Sequence, residues 1–187
     1  MIHEAEQVVL LDQQGRACGT AEKATVHGAD TPLHLAFSCH VLDTSGRVLL
    51  TRRSLTKRAW PGTWTNAFCG HPAPAEPVAE AVRRRAGQEL RLSLDRIEPV
   101  LPDFRYRAVD AAGIVENEVC PVYMAEAGHE PEPDPTETME HRWVEPERLA
   151  EALNSAPWAF SPWLVLQARR MSDGGVVRPS AWKRRAR

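Results

Sequence analysis

The chain has 187 residues, 43% hydrophobic and 26% charged, with a formal net charge of -2. That is enough for one globular domain with a well-buried core and too little to expect two, and a nearly neutral balance gives no basic field for nucleic acid. No apolar run could span a bilayer, and the opening Met1-Ile2-His3-Glu4-Ala5-Glu6-Gln7 lacks the basic start and apolar core of a signal peptide. A cytoplasmic protein with neither a membrane nor a nucleic-acid partner is therefore expected.

In chain order, residues 8–11 read as a strand, Asp12-Gln13-Gln14-Gly15 as a turn, and residues 16–23 as the returning arm of a hairpin. Pro32 argues against one continuous helix over residues 25–35, which puts His27 and His34 in loop or at a strand edge. Residues 33–43 are apolar enough for a central strand, and Thr44-Ser45-Gly46 turns the chain into a partner over residues 47–53. Residues 54–65 form a loop mixing Lys57 and Arg58 with Trp60 and Trp64, suited to a substrate lip.

Residues 77–92 give the clearest helix, with Val78, Val82, Ala86 and Leu90 on one stripe. Gly87 within it costs about 1 kcal/mol relative to alanine, so a packing reason or a close backbone approach is expected there. Residues 97–109 and 114–125 read as a long hairpin, with Pro102 and Pro121 at edges or bulges. The acidic, proline-rich residues 128–138 read as a solvated loop, residues 141–144 as a strand, and residues 146–154 and 162–171 as closing helices. The predicted fold is α+β, a mixed or antiparallel sheet flanked by helices in a single compact domain covering 1–187, with a frayed basic tail from about residue 173. No glycine-rich fingerprint follows a strand, so a Rossmann fold is not expected.

Cys18, Cys39, Cys69 and Cys120 form no CxxC pair and are expected to be reduced. A lone free cysteine is ordinarily a small core hydrophobe, but Cys69 is followed by Gly70, His71 and Pro72 at the end of an extended segment. If that segment is a strand, Cys69 and His71 point to one side; so do Glu116 and Glu118 on theirs. Apolar neighbours on both sides place those two carboxylates inside the sheet, where they need a cation or a shared proton. With His27 and His34, the pattern suggests three histidines and a carboxylate around a metal, beside a thiol able to transfer a proton. Arg53, Lys57, Arg83-Arg84-Arg85 and Arg105/Arg107 are separate basic clusters that together suit a diphosphate. Trp158, Phe160 and Trp163 read as core aromatics, one of which could line an apolar pocket.

These motifs together resemble the type I isopentenyl diphosphate isomerases of the Nudix-fold superfamily. The resemblance runs from about residue 8 to 167 and rests on His27-Gly28-Ala29-Asp30-Thr31-Pro32-Leu33-His34, Thr51-Arg52-Arg53, Ala59-Trp60-Pro61-Gly62, Thr65-Asn66 with Cys69-Gly70-His71-Pro72, Asp103-Phe104-Arg105-Tyr106-Arg107, Glu116-Asn117-Glu118-Val119-Cys120 and Pro157-Trp158-Ala159-Phe160-Ser161-Pro162-Trp163. It implies metal-dependent interconversion of isopentenyl and dimethylallyl diphosphate, with Cys69 and Glu118 as the proton-transfer pair, Tyr106 hydrogen-bonded to Glu118, and Trp163 facing the developing carbocation. It further implies metal binding by His27, His34, His71, Glu116 and Glu118, with Cys69 counted among the metal residues, and by Glu89 on a magnesium that arrives with the diphosphate. Lys23, Arg53, Lys57 and Arg85 would contact that diphosphate. Magnesium, manganese and zinc all suit the histidine site. A small isoprenyl diphosphate is the expected partner and a monomer the simplest state, with an oligomer left open.

Hydrolases of the superfamily gather metals with adjacent glutamates on one helix. Gly70, Glu76 and Arg84 fit that pattern, but Arg85, Gln88 and Arg91 stand where two glutamates and a closing glycine would, leaving Glu89 alone. A diphosphohydrolase is thus the weaker enzymatic reading, and a binding module using the basic tail the non-enzymatic one.

Overall fold

The computed structural model describes residues 6–172 and 175–182. The strands are β1 (Gln7–Leu11), β2 (Ala17–Glu22), β3 (His34–Leu35), β4 (Phe37–Leu42), β5 (Val48–Arg53), β6 (Trp64–Thr65), β7 (Phe68–Gly70), β8 (Leu94–Leu101), β9 (Arg105–Val109), β10 (Val115–Val119), β11 (Val122–Ala127) and β12 (Thr138–Val144). The helices are α1 (Lys23–Val26), α2 (Val78–Leu90), α3 (Pro146–Ser155) and α4 (Pro162–Met171), with single 3-10 turns at Pro157–Ala159 and Pro179–Trp182. One sheet runs β2-β1-β3-β10-β9; the other runs β12-β5-β4-β11-β8, with β6 added on β5 and β7 on β4.

Every side chain of β4 is buried, and its alternation divides the core. Cys39 and Val41, with Leu49 of β5, meet the α2 stripe of Ala81, Val82, Ala86 and Leu90 on one face. Leu42, with Val48 and Leu50, meets Leu149 and Leu153 of α3 and Leu164 and Ala168 of α4 on the other. The second sheet is therefore sandwiched between α2 and the α3–α4 pair, which gives the mixed α+β architecture expected.

Two single strands of the sequence reading are each divided between the sheets. Residues 33–43 break at Ala36 into β3 and β4, and the predicted long hairpin is two separate pairings, β9 with β10 and β8 with β11. The prolines mark these breaks rather than ordinary edges, since Pro102 and Pro121 lack the N–H that a continuous ladder requires. The broken segments still run side by side: β3 pairs parallel with β10, then β4 pairs parallel with β11. Ala36 N–H to Val119 O at 2.9 Å and Ser38 N–H to Pro121 O at 3.1 Å join the two stretches.

Two further expectations change. The loop before β12 is not simply solvated, because Pro131 is buried and Glu137 pairs with Lys57 and Arg85. Val177, Ala181 and Trp182, expected in a frayed tail, are buried against α3 and α4 because an indole and two aliphatic groups complete that apolar layer. The basic residues 183–187 lie outside the described residues. Arg91, in the position of the usual glycine, ends α2 in the left-handed conformation at φ 52°, and its N–H caps Ala86 O, so the turn survives without the residue that makes it easy.

Gly87 has no packing reason for being glycine. It is exposed, and an added Cβ meets nothing within 4 Å. Gly70 is the opposite case: its Cβ would lie 2.9 Å from both Arg85 Cγ and Phe37 Cζ. Thermal denaturation should show Gly87→Ala stabilised by about 0.5–1 kcal/mol and Gly70→Ala destabilised by about 1–3 kcal/mol.

Candidate active site and metal centre

Four side chains converge at the point where the paired segments cross between sheets. His34 of β3 and Glu118 of β10 are register partners; His27 follows α1, and His71 follows β7. One ligand atom from each of His27, His34, His71 and Glu118 lies within 4.8 Å of the others. The imidazole centroids are 5.0 to 5.4 Å apart. Glu118 Oε1 is 3.5 Å from His34 Nε2 and 3.4 Å from His71 Nε2, while Glu116 Oε2 is 3.1 Å from His27 Nε2. The i, i+2 spacing on β10 thus puts both carboxylates on one face, as their positions in the sequence suggested.

The donor set fits a divalent cation. Nε2 of all three histidines and Oε2 of Glu116 are buried without a hydrogen bond of proper geometry, a costly arrangement for polar atoms unless an ion draws on them. His34 Nδ1 lies 2.9 Å from Pro32 O, so it carries the proton and Nε2 presents its lone pair inward. Burial opposes charge on His34, but Glu118 outweighs it and raises the imidazole pKa; burial dominates at His71 and lowers it to about 4. Burial likewise pushes Glu118 up, yet the close His34 and His71 imidazoles hold it well below the usual carboxylate range. Glu116 is raised by burial and by the charge of Glu118. A cation between these groups would relieve both the crowding of imidazoles and the repulsion of carboxylates.

Cys69 is not part of this close group. Its position in β7, opposite Ser38 of β4, turns Sγ to the Ser38 hydroxyl at 3.3 Å and to Asn66 Oδ1 at 3.6 Å. Burial pushes the thiol up to about 12, with Ser38 hydrogen bonding against that trend and the charge of Glu118 adding to it. Beside it lies an apolar cluster containing Ala36, Trp60, Phe104, Tyr106, Val122 and Trp163. Trp163 is 5.3 Å edge-on from Trp60 and 5.9 Å from Tyr106, and its N–H donates to Asn66 Oδ1 at 3.0 Å. Tyr106 stands opposite Glu118 in the β9–β10 ladder, and burial and that neighbouring charge raise its phenol.

The basic side chains divide into two settings. Arg53 donates to Ala59 O and Trp60 O, and its guanidinium lies 5.5 Å from the Trp163 centroid. Lys57 and Arg85 are held together by Glu137, and Arg85 also pairs with Glu89. Lys23 pairs with Glu6, a carboxylate that also feels the charges of Arg85 and Arg84. Glu89 therefore belongs to this second cluster rather than to the histidine group. Arg84 is tied to Glu76 and His71 O, whereas Arg83 is on the exposed side of the helix with Glu80. Arg105 donates to Gln13 O, away from the aromatic cluster, and Trp158 is exposed.

Sequence reading gave no role to Ser38, Asn66, Glu137 or Gln167. Asn66 had one available signal, an amide inside an otherwise apolar stretch. Its Nδ2 donates to Cys39 O and Phe68 O, which fixes Oδ1 toward Trp163 and Cys69.

A family model for the NUDIX domain matches residues 32–164. Among solved structures, DR0079 from Deinococcus radiodurans superposes with a TM-score of 0.68 at 19% identity over 88% of this chain and 98% of its own. The MutT NUDIX hydrolase from Burkholderia pseudomallei gives 0.54 at 25% identity, covering 72% of this chain and 94% of its own. The chain has the Nudix fold. The isopentenyl-diphosphate Delta-isomerase of Agromyces mediolanus is 66% identical over 88% of this chain and 80% of its own. That of Clavibacter sepedonicus is 62% identical over 89% and 88%, and that of Leifsonia xyli subsp. xyli 56% over 94% and 96%. The chain belongs to the isopentenyl-diphosphate Delta-isomerase family within the NUDIX domain proteins.

Two measurements check the electrostatics. Adding a divalent ion at about 100 times its dissociation constant should stabilise the protein by about 2.7 kcal/mol, and His71→Ala should lose most of that thermal shift. Lys57 and Arg85 overcome burial and hold Glu137 at about 2, below its ordinary 4.5. Its contribution to stability is complete above 4.5 and is lost as pH falls toward 2, so Glu137→Gln should flatten the acid denaturation profile in that window.

Proposed function

We propose that this chain interconverts isopentenyl diphosphate and dimethylallyl diphosphate, adding a proton at C4 and removing one from C2 with the diphosphate intact. The observation that supports the reading is that a buried Cys69 thiol and the Glu118 carboxylate, beside His34 and His71, both border one aromatic cluster, Cys69 packed against it and Glu118 opposite Tyr106. Protonating an unactivated alkene makes a tertiary cation with no heteroatom to share its charge, so water must be excluded and the cation met by π faces and anions. Trp163 and Tyr106 supply the faces and Glu118 the negative charge.

Cys69 and Glu118 are the proton-transfer pair, and they exchange roles when the reaction runs backward. Tyr106 hydrogen-bonds Glu118 during turnover and steadies its carboxylate. His27, His34, His71, Glu116 and Glu118 would hold the resident cation, with magnesium, manganese and zinc all suited. When bound, that ion supplies fixed positive charge that orders the carboxylates and tunes the acidity of Glu118. Lys23, Arg53, Lys57 and Arg85 receive the diphosphate, which would compete with the carboxylates now paired to Lys23, Lys57 and Arg85. Glu89 then becomes available to the magnesium carried by the diphosphate. Hydrolysis is disfavoured by the same helix, where Arg85 and Gln88 flank Glu89 and leave it without a neighbouring carboxylate to gather metals. The chain is read as one catalytic unit, a cytoplasmic monomer working on a small diphosphate.

Incubation with isopentenyl diphosphate and magnesium in deuterated water should place label in the product methyl group and release no phosphate. Cys69→Ala and Glu118→Gln should keep the fold and lose exchange by a factor on the order of 100 or more. Full activity in either variant would remove that residue from the pair, and phosphate release would point to the hydrolase reading.

A further inference from the structure

Beside Cys69 lies a polar file that the isomerase reading leaves unused. Trp182 Nε1 donates to His40 Nδ1 at 3.2 Å, and His40 Nε2 lies 3.0 Å from Gln167 Oε1. Gln167 Nε2 donates to Ser38 Oγ at 2.8 Å, and Ser38 Oγ lies 3.3 Å from Cys69 Sγ. Ser38, His40 and Gln167 are completely buried, and Trp182 nearly so. A fully desolvated run of four polar groups within an apolar layer is costly unless every member is satisfied. Here each one is.

The file has a direction because its far end cannot be reversed. An indole N–H only donates, so His40 Nδ1 must present its lone pair and the ring must be the neutral Nε2–H tautomer. That N–H needs an acceptor, which sets the Gln167 amide with oxygen toward His40 and nitrogen toward Ser38. Ser38 Oγ therefore accepts, and its own proton is left to sulfur: Cys69 at 3.3 Å or Cys120 at 3.4 Å. On the other side of Cys69, Asn66 Oδ1 accepts at 3.6 Å.

We infer that Trp182, His40, Gln167 and Ser38 form a one-way hydrogen-bond chain that positions the Cys69 thiol, with Ser38 donating to Sγ and the S–H turned toward Asn66. These are positioning residues, since none touches the reacting carbons. The chain makes the outermost 3-10 turn, Pro179–Trp182, part of the apparatus that orients the thiol. The inference rests on the assignment of Cys69 to the proton-transfer pair.

Nitrogen-15 NMR of histidine-labelled, full-length protein reads the chain without using activity. His40, identified by the loss of its signals in His40→Asn, should be the neutral Nε2–H tautomer at neutral pH, and Trp182→Phe should release that preference. In steady-state assays with isopentenyl diphosphate, Gln167→Glu, which sets an acceptor against Ser38, should lower kcat about 10-fold while KM stays within about two-fold. Trp182→Phe should lower kcat about 3-fold, and Ser38→Thr should retain the activity that Ser38→Ala loses. An Nδ1–H or doubly protonated His40, or a Gln167→Glu enzyme with wild-type kcat, would overturn the inference. Full activity in Cys69→Ala would instead unseat Cys69 itself, with the tautomer still reporting whether the chain exists.

Discussion

Two chain segments run parallel across the boundary between the sheets, and the chemistry collects where they cross. β3 and β10 align His34 with Glu118; four residues on, the same segments continue as β4 and β11, aligning Ser38 with Val122. The two backbone hydrogen bonds that link the stretches, from Ala36 and Ser38, leave little freedom for slippage. A one-residue shift would turn Glu116 and Glu118 away from the histidines and bring Asn117 in their place. The histidine–carboxylate group, the thiol's hydroxyl partner and the Val122 contribution to the aromatic cluster all depend on that one register.

Two kinds of buried charge then coexist within the domain. The histidine group contains orphaned donor atoms and close carboxylates, an arrangement that gains by taking up a cation. Arg85, Glu89, Glu137 and Lys57 instead satisfy one another, and form a closed ion network until a stronger anion competes. The Arg53 guanidinium, lying 5.5 Å from the Trp163 centroid, brings a cation to the aromatic cluster as well.

Much of this was legible along the chain because it depends on local rules. The α2 stripe, the turn at Thr44-Ser45-Gly46 and the common face of Glu116 and Glu118 follow from periods of 3.6 and 2 and from turn chemistry. The breaks at Ala36 and at Pro102 and Pro121 were not legible, because an apolar run looks alike whether it serves one sheet or crosses between two. Glu137 looked like part of a solvated loop, since its partners come from Lys57 and Arg85, far away in the sequence. Trp182 looked like a tail residue for the same reason. The site residues could be nominated by chemistry, and the family resemblance supplied their roles; neither source pointed to His40 or Gln167, whose meaning lies only in whom they face.

The parallel alignment of β4 with β11 also has a kinetic consequence. Strand β4 is made early in synthesis and must wait for a partner that emerges on the order of eighty residues later. Until then its uninterrupted apolar face and unpaired edge offer a surface for intermolecular association. The neighbouring β5 and β7, joined to it through nearby loops, can occupy that strand's other side much sooner. Connectivity thus divides the pairings of β4 in two: those with β5 and β7 close over short loops, whereas the parallel register that builds the candidate site joins segments about eighty residues apart.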